Sequence, residues 1–309
     1  MSRLPIIIDT DPGQDDAAAL WLALAHRDRL DLTFVATVAG NVGLDLTTAN
    51  ALRILDAAER PDMPVHRGAD RPLVYDLEIA DYISGPDGLA GAGLPLSSRA
   101  AHEEHAVDAL IAALRAAPAP GLTLCPLGPL TNLALAFRLA PELLPRVERI
   151  VTMGGAIGLG NVTPAAEFNV YVDPHAAAIV YGCGRPIVMF GLGVTLQALA
   201  SHDQIARFRD LGRCGRSLHG MLTRPRPGGF GTDGHPMHDL CVIAWLLWPE
   251  LFSGRDCFVD VECAAGPQRG RTTIDWNGRT RRAPNAHVIA TVEARDLFER
   301  VLEAFARLP

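Results

Sequence analysis

The sequence predicts an α/β fold: an open, mostly parallel, Rossmann-like sheet flanked by helices, with a few extra strands near the C-terminus. Three features point to it. Short apolar or β-branched runs alternate with helical stretches in β-α-β-α-β order, the mark of a largely parallel sheet. The first run, 4–9 (Leu-Pro-Ile-Ile-Ile-Asp), is the apolar segment of a buried strand. The length of 309 residues suits one large α/β domain or two ordinary ones. No repeat, linker or low-complexity tail divides it, so one domain over 1–309 is expected.

After the strand 4–9, Pro12-Gly13 makes a turn and 15–26 reads as an apolar helix. Residues 31–39 alternate and are rich in β-branched residues, a second strand. A helix at about 44–59 and a short strand near Pro64-Val65 complete the first β-α-β-α-β set. The stretch 68–101 is rich in Gly, Pro, Ser and Asp, and reads as a long irregular excursion of the kind that often carries function. Helix 103–116, strand 122–127, helix 129–139 and strand 147–153 follow. A Gly-rich loop spans 154–173, then helix 174–182, strand 186–190 and one helix over 202–222. A Pro- and Gly-rich loop, 223–237, precedes helix 239–247. Strands are expected at 256–265, 270–275 and 286–292, the last two joined by the turn Asn277-Gly278, and a helix at 294–307.

Composition narrows the chemistry. Hydrophobic residues make up 49% and charged residues 20%, a globular balance. No apolar run is long enough for a membrane span, and the N-terminus meets Asp9 too early for a signal peptide. Six scattered cysteines without a C-x-x-C pair fit a reduced cytoplasmic protein. A net charge of −7 argues against a nucleic-acid partner. All 28 basic residues are Arg; there is no Lys. That excludes a P-loop lysine and Schiff-base or pyridoxal chemistry on this chain.

The densest chemistry is Asp9-Thr10-Asp11-Pro12-Gly13-Gln14-Asp15-Asp16, four carboxylates in eight residues at the carboxyl end of the first strand. Ligands of open α/β sheets bind at that edge. A helix N-terminus accommodates Asp15 and Asp16 through its dipole, but Asp9 and Asp11 at a buried strand end call for a cation. Oxygen donors without Cys/His pairs select Ca²⁺ or Mg²⁺ over zinc. An EF-hand is excluded, because a strand and not a helix enters the acidic loop. Further polar groups follow at other strand ends: Gly40-Asn41, Leu127 to Asn132, Met153-Gly154-Gly155, Asn161, Glu167-Phe168-Asn169 and His238-Asp239. Taken singly, each is also an ordinary turn or helix cap. Asn and Glu in such loops suit sugar hydroxyls.

Together, the Asp-Thr-Asp-Pro-Gly-Gln-Asp-Asp-Ala motif and these groups, in this order and at this spacing, resemble the inosine-uridine preferring nucleoside hydrolases over about 5–300. The resemblance implies hydrolysis of the N-glycosidic bond of a ribonucleoside to ribose and free base, with one Ca²⁺. It implies Asp11, Asp16, Asp239 and the Leu127 carbonyl as metal ligands. Asp15, Asn41, Asn161, Glu167 and Asn169 would bind ribose, and Met153 would pack near the sugar. Asp11 would take the proton from a metal-activated water, and His238 would protonate the leaving base. The family's histidine in the first long loop is replaced here by Ser84, which places the base preference in question. Phe230, in loop 223–237, would close over the base. Histidines 102, 105 and 235 lie on flanking loops. A homodimer or homotetramer is implied. Two alternatives stand at this stage: a riboside-binding protein without turnover, and a phosphohydrolase of the haloacid-dehalogenase type, suggested by Asp9-Thr10-Asp11.

Overall fold

The computed structural model describes residues 3–224 and 234–309. In chain order the elements are β1 (Leu4–Thr10), α1 (Gln14–Ala25), β2 (Leu30–Thr37), α2 (Leu44–Ala57), β3 (Val65–Arg67), α3 (Asp81–Ser84), α4 (Ala106–Ala116), β4 (Leu122–Pro126), α5 (Thr131–Leu139), β5 (Val147–Met153), α6 (Phe168–Val172), α7 (Pro174–Tyr181) and β6 (Ile187–Phe190). They continue with α8 (Leu192–Thr195), β7 (Leu199–Ala200), α9 (His202–Phe208), α10 (Gly212–Leu222), β8 (His235–Pro236), α11 (Leu240–Leu247), β9 (Phe252–Cys257), β10 (Val259–Val261), β11 (Thr272–Ile274), β12 (Ala286–Val292) and α12 (Ala294–Phe305).

The central sheet has eight strands in the order β3-β2-β1-β4-β5-β6-β12-β9. Neighbours pair in parallel except β12 and β9, which are antiparallel. The strand order reverses between β1 and β4, and their carboxyl ends open a crevice there. Strand alternation feeds two apolar layers: Ile6 and Ile8 of β1 join one cluster, Ile7 the other. The first layer packs α1 against α2, α10, α11 and α12. Helix α1 is apolar all round because it is covered all round, with Trp21 fully buried and its indole N–H donating to the Ile54 carbonyl at 3.0 Å. The second layer holds α4, α5 and α7, with Leu110, Leu133, Phe137 and Val180 buried. All six cysteines are unpaired, and among the described residues no helix is long and apolar enough to cross a membrane.

Four local expectations change. The helix expected over 202–222 is two helices, α9 and α10. Gly212 sits at φ +64°, a left-handed conformation that ends one helix path and starts another. Helix α4 begins at Ala106, not 103, because the His105 side chain caps it by accepting from the Val107 N–H. The excursion 68–101 and the loop 154–173 each contain a short helix, α3 and α6. The strand expected over 256–265 divides: β9 edges the main sheet, while β10 pairs with β11 in a separate two-stranded sheet. Asn277-Gly278 therefore does not join paired strands. Asp275 closes that turn locally, accepting from the Arg279 and Thr280 N–H groups at 2.7 Å each.

Candidate active site

The crevice at the carboxyl ends of β1 and β4 is a cavity of about 300 Å³. Asp11, Asp15, Asn41, Ser84, Leu127, Met153, Asn161, Glu167, Asn169, His238 and Asp239 line it. Asp16 lies directly behind, fully buried. Phe230 lies outside the described residues.

Each side chain is placed by local backbone logic. Asp16 accepts from the Gly13 N–H at 2.8 Å and from the Thr10 hydroxyl, so the turn between β1 and α1 folds around its carboxylate. Asp11 Oδ2 accepts from the Asn41 N–H at 2.7 Å, and the Asn41 side-chain amide donates to the Asp11 carbonyl at 3.1 Å. This links the ends of β1 and β2. Glu167 caps α6, accepting from the Asn169 and Val170 N–H groups, and also from Gly155 N–H at 2.8 Å. Asn169 Nδ2 donates to the Leu127 carbonyl at 2.6 Å, and Asn161 Oδ1 accepts from the Phe168 N–H at 3.0 Å. His238 Nδ1 lies 2.7 Å from the Thr195 hydroxyl, which fixes the ring.

The electrostatics are those of crowded carboxyls. Asp15, Asp16 and Asp239 bring oxygen atoms within 4.8 Å of one another. Burial, then the charges of Asp15, Asp16 and Asp11, raise Asp239 well above the carboxylate range. Burial and then Asp16 do the same for Asp11. Burial pushes Asp16 up to about 6, helped by Asp15 and opposed by the Thr10 and Gly13 donors. Asp9, behind them, is pushed up to about 7 by burial despite its bond from Asn132 at 2.9 Å, and its Oδ2 has no hydrogen-bond partner among the described residues. Burial also raises Glu167, against several backbone donors. An all-oxygen donor set under mutual repulsion is the chemistry that a hard divalent cation relieves, so these residues fit one.

The grouping differs in one detail from the ligand set implied by resemblance. Asp15 groups with Asp16 and Asp239, while one Asp11 oxygen is engaged by Asn41. Of the flanking histidines, His235 lines the cavity, whereas His102 pairs with His66 at the sheet edge and His105 caps α4. Sequence reasoning missed Gln14, Tyr82, Phe168 and Arg224 on the wall, and Thr195 behind His238. Gln14 lay inside the acidic motif and could have been found there. Arg224 lies in loop 223–237, which was expected over the base, whereas Thr195 comes from a distant segment and carries no local signal.

An open, mostly parallel sheet thus carries this acidic and polar set at its switch point. The chain belongs to the inosine-uridine preferring nucleoside hydrolase family, whose sequence profile matches residues 6–299, and it is an enzyme of that class. It is 46% identical to the pyrimidine-specific ribonucleoside hydrolase RihA of Shewanella baltica, over 92% of this chain and 90% of that protein. It is 44% identical to the non-specific ribonucleoside hydrolase RihC of Salmonella enteritidis, over 100% and 99% of the two chains. A plant nucleoside hydrolase of known structure superposes with a TM-score of 0.90 at 32% identity, covering 99% of both chains. The family match sets aside the haloacid-dehalogenase alternative.

Proposed function

We propose that this protein is a calcium-dependent hydrolase that cleaves the N-glycosidic bond of ribonucleosides to ribose and free base. The observation that carries the reading is the meeting of the buried carboxyl cluster with Asn41, Asn161, Glu167, Asn169 and His238 at one cavity. In this reading Asp11, Asp16, Asp239 and the Leu127 carbonyl hold the ion, and Asp15 binds ribose from beside it. Bound calcium supplies orientation of vicinal hydroxyls and a lowered pKa for a bound water.

The chain's own residues do the rest. Asp11 accepts a proton from the attacking water as its oxygen bonds to C1′. The C1′–N bond breaks with its electron pair leaving on the base, and His238 protonates that base. The contact between Nδ1 and the Thr195 hydroxyl holds the ring for that transfer. Asn41, Asn161, Glu167 and Asn169 hold the ribose hydroxyls. Carboxylate and amide oxygens around the ring favour the positive charge of an oxocarbenium-like transition state. Met153 packs near the sugar, and Ser84 and Phe230 belong to the base side. The protein acts as one domain over 1–309, as a cytoplasmic homodimer or homotetramer, on free ribonucleosides and without nucleic-acid or membrane partners.

Comparison of uridine with 2′-deoxyuridine tests the ribose assignment. A site built to hydrogen-bond a hydroxyl leaves buried partners unpaired when it is missing. The deoxynucleoside is expected to lose at least about 100-fold in kcat/KM. Comparable values for the two substrates would overturn the assignment. A protein that binds uridine without releasing ribose would instead be the riboside binder.

A further inference from the structure

Metal-ligating side chains gather at a second place, at the sheet edge and outside the cavity lining. His66 of β3, His102 and Glu104 each bring one ligand atom within 4.8 Å of the other two. The backbone makes the meeting. Strand β3 is an edge of the sheet, and the His102 N–H donates to the Val65 carbonyl at 2.7 Å, so residue 102 bridges in parallel to His66. The excursion 68–101 thus leaves the sheet edge and returns to it, and α4 starts just beyond.

The side chains are arranged as ligands are. The His66 and His102 ring centroids are 4.5 Å apart, with planes 38° from parallel. His66 is buried and its Nδ1 lies 3.0 Å from the Glu104 carbonyl oxygen. A carbonyl only accepts, so the proton is on Nδ1 and the lone pair on Nε2. A ring N–H given to a backbone carbonyl, with the other nitrogen as donor atom, is how metal-bound histidines are oriented. The Glu104 carboxylate lies 3.9 Å from Nδ1 of the same ring. His102 Nδ1 accepts from the Glu104 N–H at 3.2 Å, a long bond that a metal can replace.

We propose that His66, His102 and Glu104 form a second metal site that takes Zn²⁺ or a similar first-row transition ion. Two imidazoles and one carboxylate suit such an ion and leave a fourth position for water, unlike the oxygen-only cluster in the cavity. The ion would fasten the end of the excursion to the sheet edge. The inference does not depend on which substrate the cavity takes.

The test uses calcium-saturated protein titrated with Zn²⁺ by calorimetry and with Co²⁺ by visible absorption. Wild type is compared with His102→Ala and Glu104→Gln, both at exposed positions. Wild type is expected to bind one further Zn²⁺ and to give the absorption of nitrogen-ligated, low-coordinate cobalt. Each variant should bind at least about tenfold more weakly, and Zn²⁺ should raise the wild-type Tm but not that of His102→Ala. Ribonucleoside turnover stays unchanged in both variants. Failure of wild type to bind Zn²⁺ beyond calcium, or equal affinity and stoichiometry in all three proteins, overturns the proposal.

Discussion

Asp11 is held between two glycines. A Cβ on Gly40 would overlap its Oδ2, and one on Gly128 its Oδ1. Neither glycine is needed for its backbone angle; both are needed for the space beside the carboxylate. Gly40→Ala and Gly128→Ala should each displace Asp11 and lower kcat/KM by about 100-fold, with folding retained by circular dichroism. His238 is tested by leaving-group chemistry. His238→Ala should lower kcat for uridine by about 10²- to 10⁴-fold, but far less for a p-nitrophenyl riboside, whose leaving group needs little protonation. Equal losses on both would point to positioning and away from acid catalysis. At this scale the acidic motif was legible because its members are neighbours in sequence. Asn132 shows in the sequence only as the last residue of the strand-end segment 127–132. Its bonds to the Asp9 carboxylate, the Thr37 carbonyl and the Ala69 N–H exist only once three segments have met.

Among the elements, the parallel strands and long helices were readable from apolar periodicity. Short pieces set by tertiary contacts were not. Helix α6 has five residues and is started by the Glu167 cap, so it has no periodic signal of its own. It is also anchored from far away in sequence. The Arg269 guanidinium stacks 4.1 Å from the Tyr75 ring centroid and 3.9 Å from that of Tyr171, donates twice to the Tyr171 carbonyl, and pairs with Glu78 at 3.0 Å. Arg269→Ala should destabilise the protein by about 1–3 kcal/mol in denaturant unfolding. It should also raise KM for uridine more than it lowers kcat, because Asn169 shares α6. A change confined to kcat would contradict that coupling. Helix α3 places Ser84 on the cavity wall. Ser84→His should change the ranking of inosine, uridine and cytidine by kcat/KM, and an unchanged ranking would remove residue 84 from the base side.

Over the whole molecule, strand order does what no single motif does. The β3-β2-β1-β4 order puts the ends of β1 and β4 side by side, and α11, packed on α1, brings the Asp239 carboxyl to the acidic turn after β1. The sequence showed the strands, but their order was read only as far as a parallel sheet, and the insertion of β12 between β6 and β9 was not legible. The gathered charge links stability to pH. Without an ion, Asp9 and Asp16 keep their protons up to about 7 and about 6, whereas in the unfolded chain they lose them near pH 4. The folded state binds more protons in that window, so ion-free stability falls as pH rises through it. A cation competes with those protons, so its stabilisation grows over the same range. The Tm difference between calcium-saturated and chelator-treated protein should be larger near pH 8 than near pH 5. A difference that shrinks with rising pH would contradict the ion's place among these carboxyls.

The most direct measurement is ribose release from uridine by protein stripped of metal and then titrated with Ca²⁺. Activity should be absent after stripping and return in full with one equivalent of bound calcium. Asp16→Ala protein should show neither tight calcium binding nor turnover. Ribose release that persists undiminished in the stripped protein, or in metal-free Asp16→Ala, would contradict catalysis by an ion held in this carboxyl cluster.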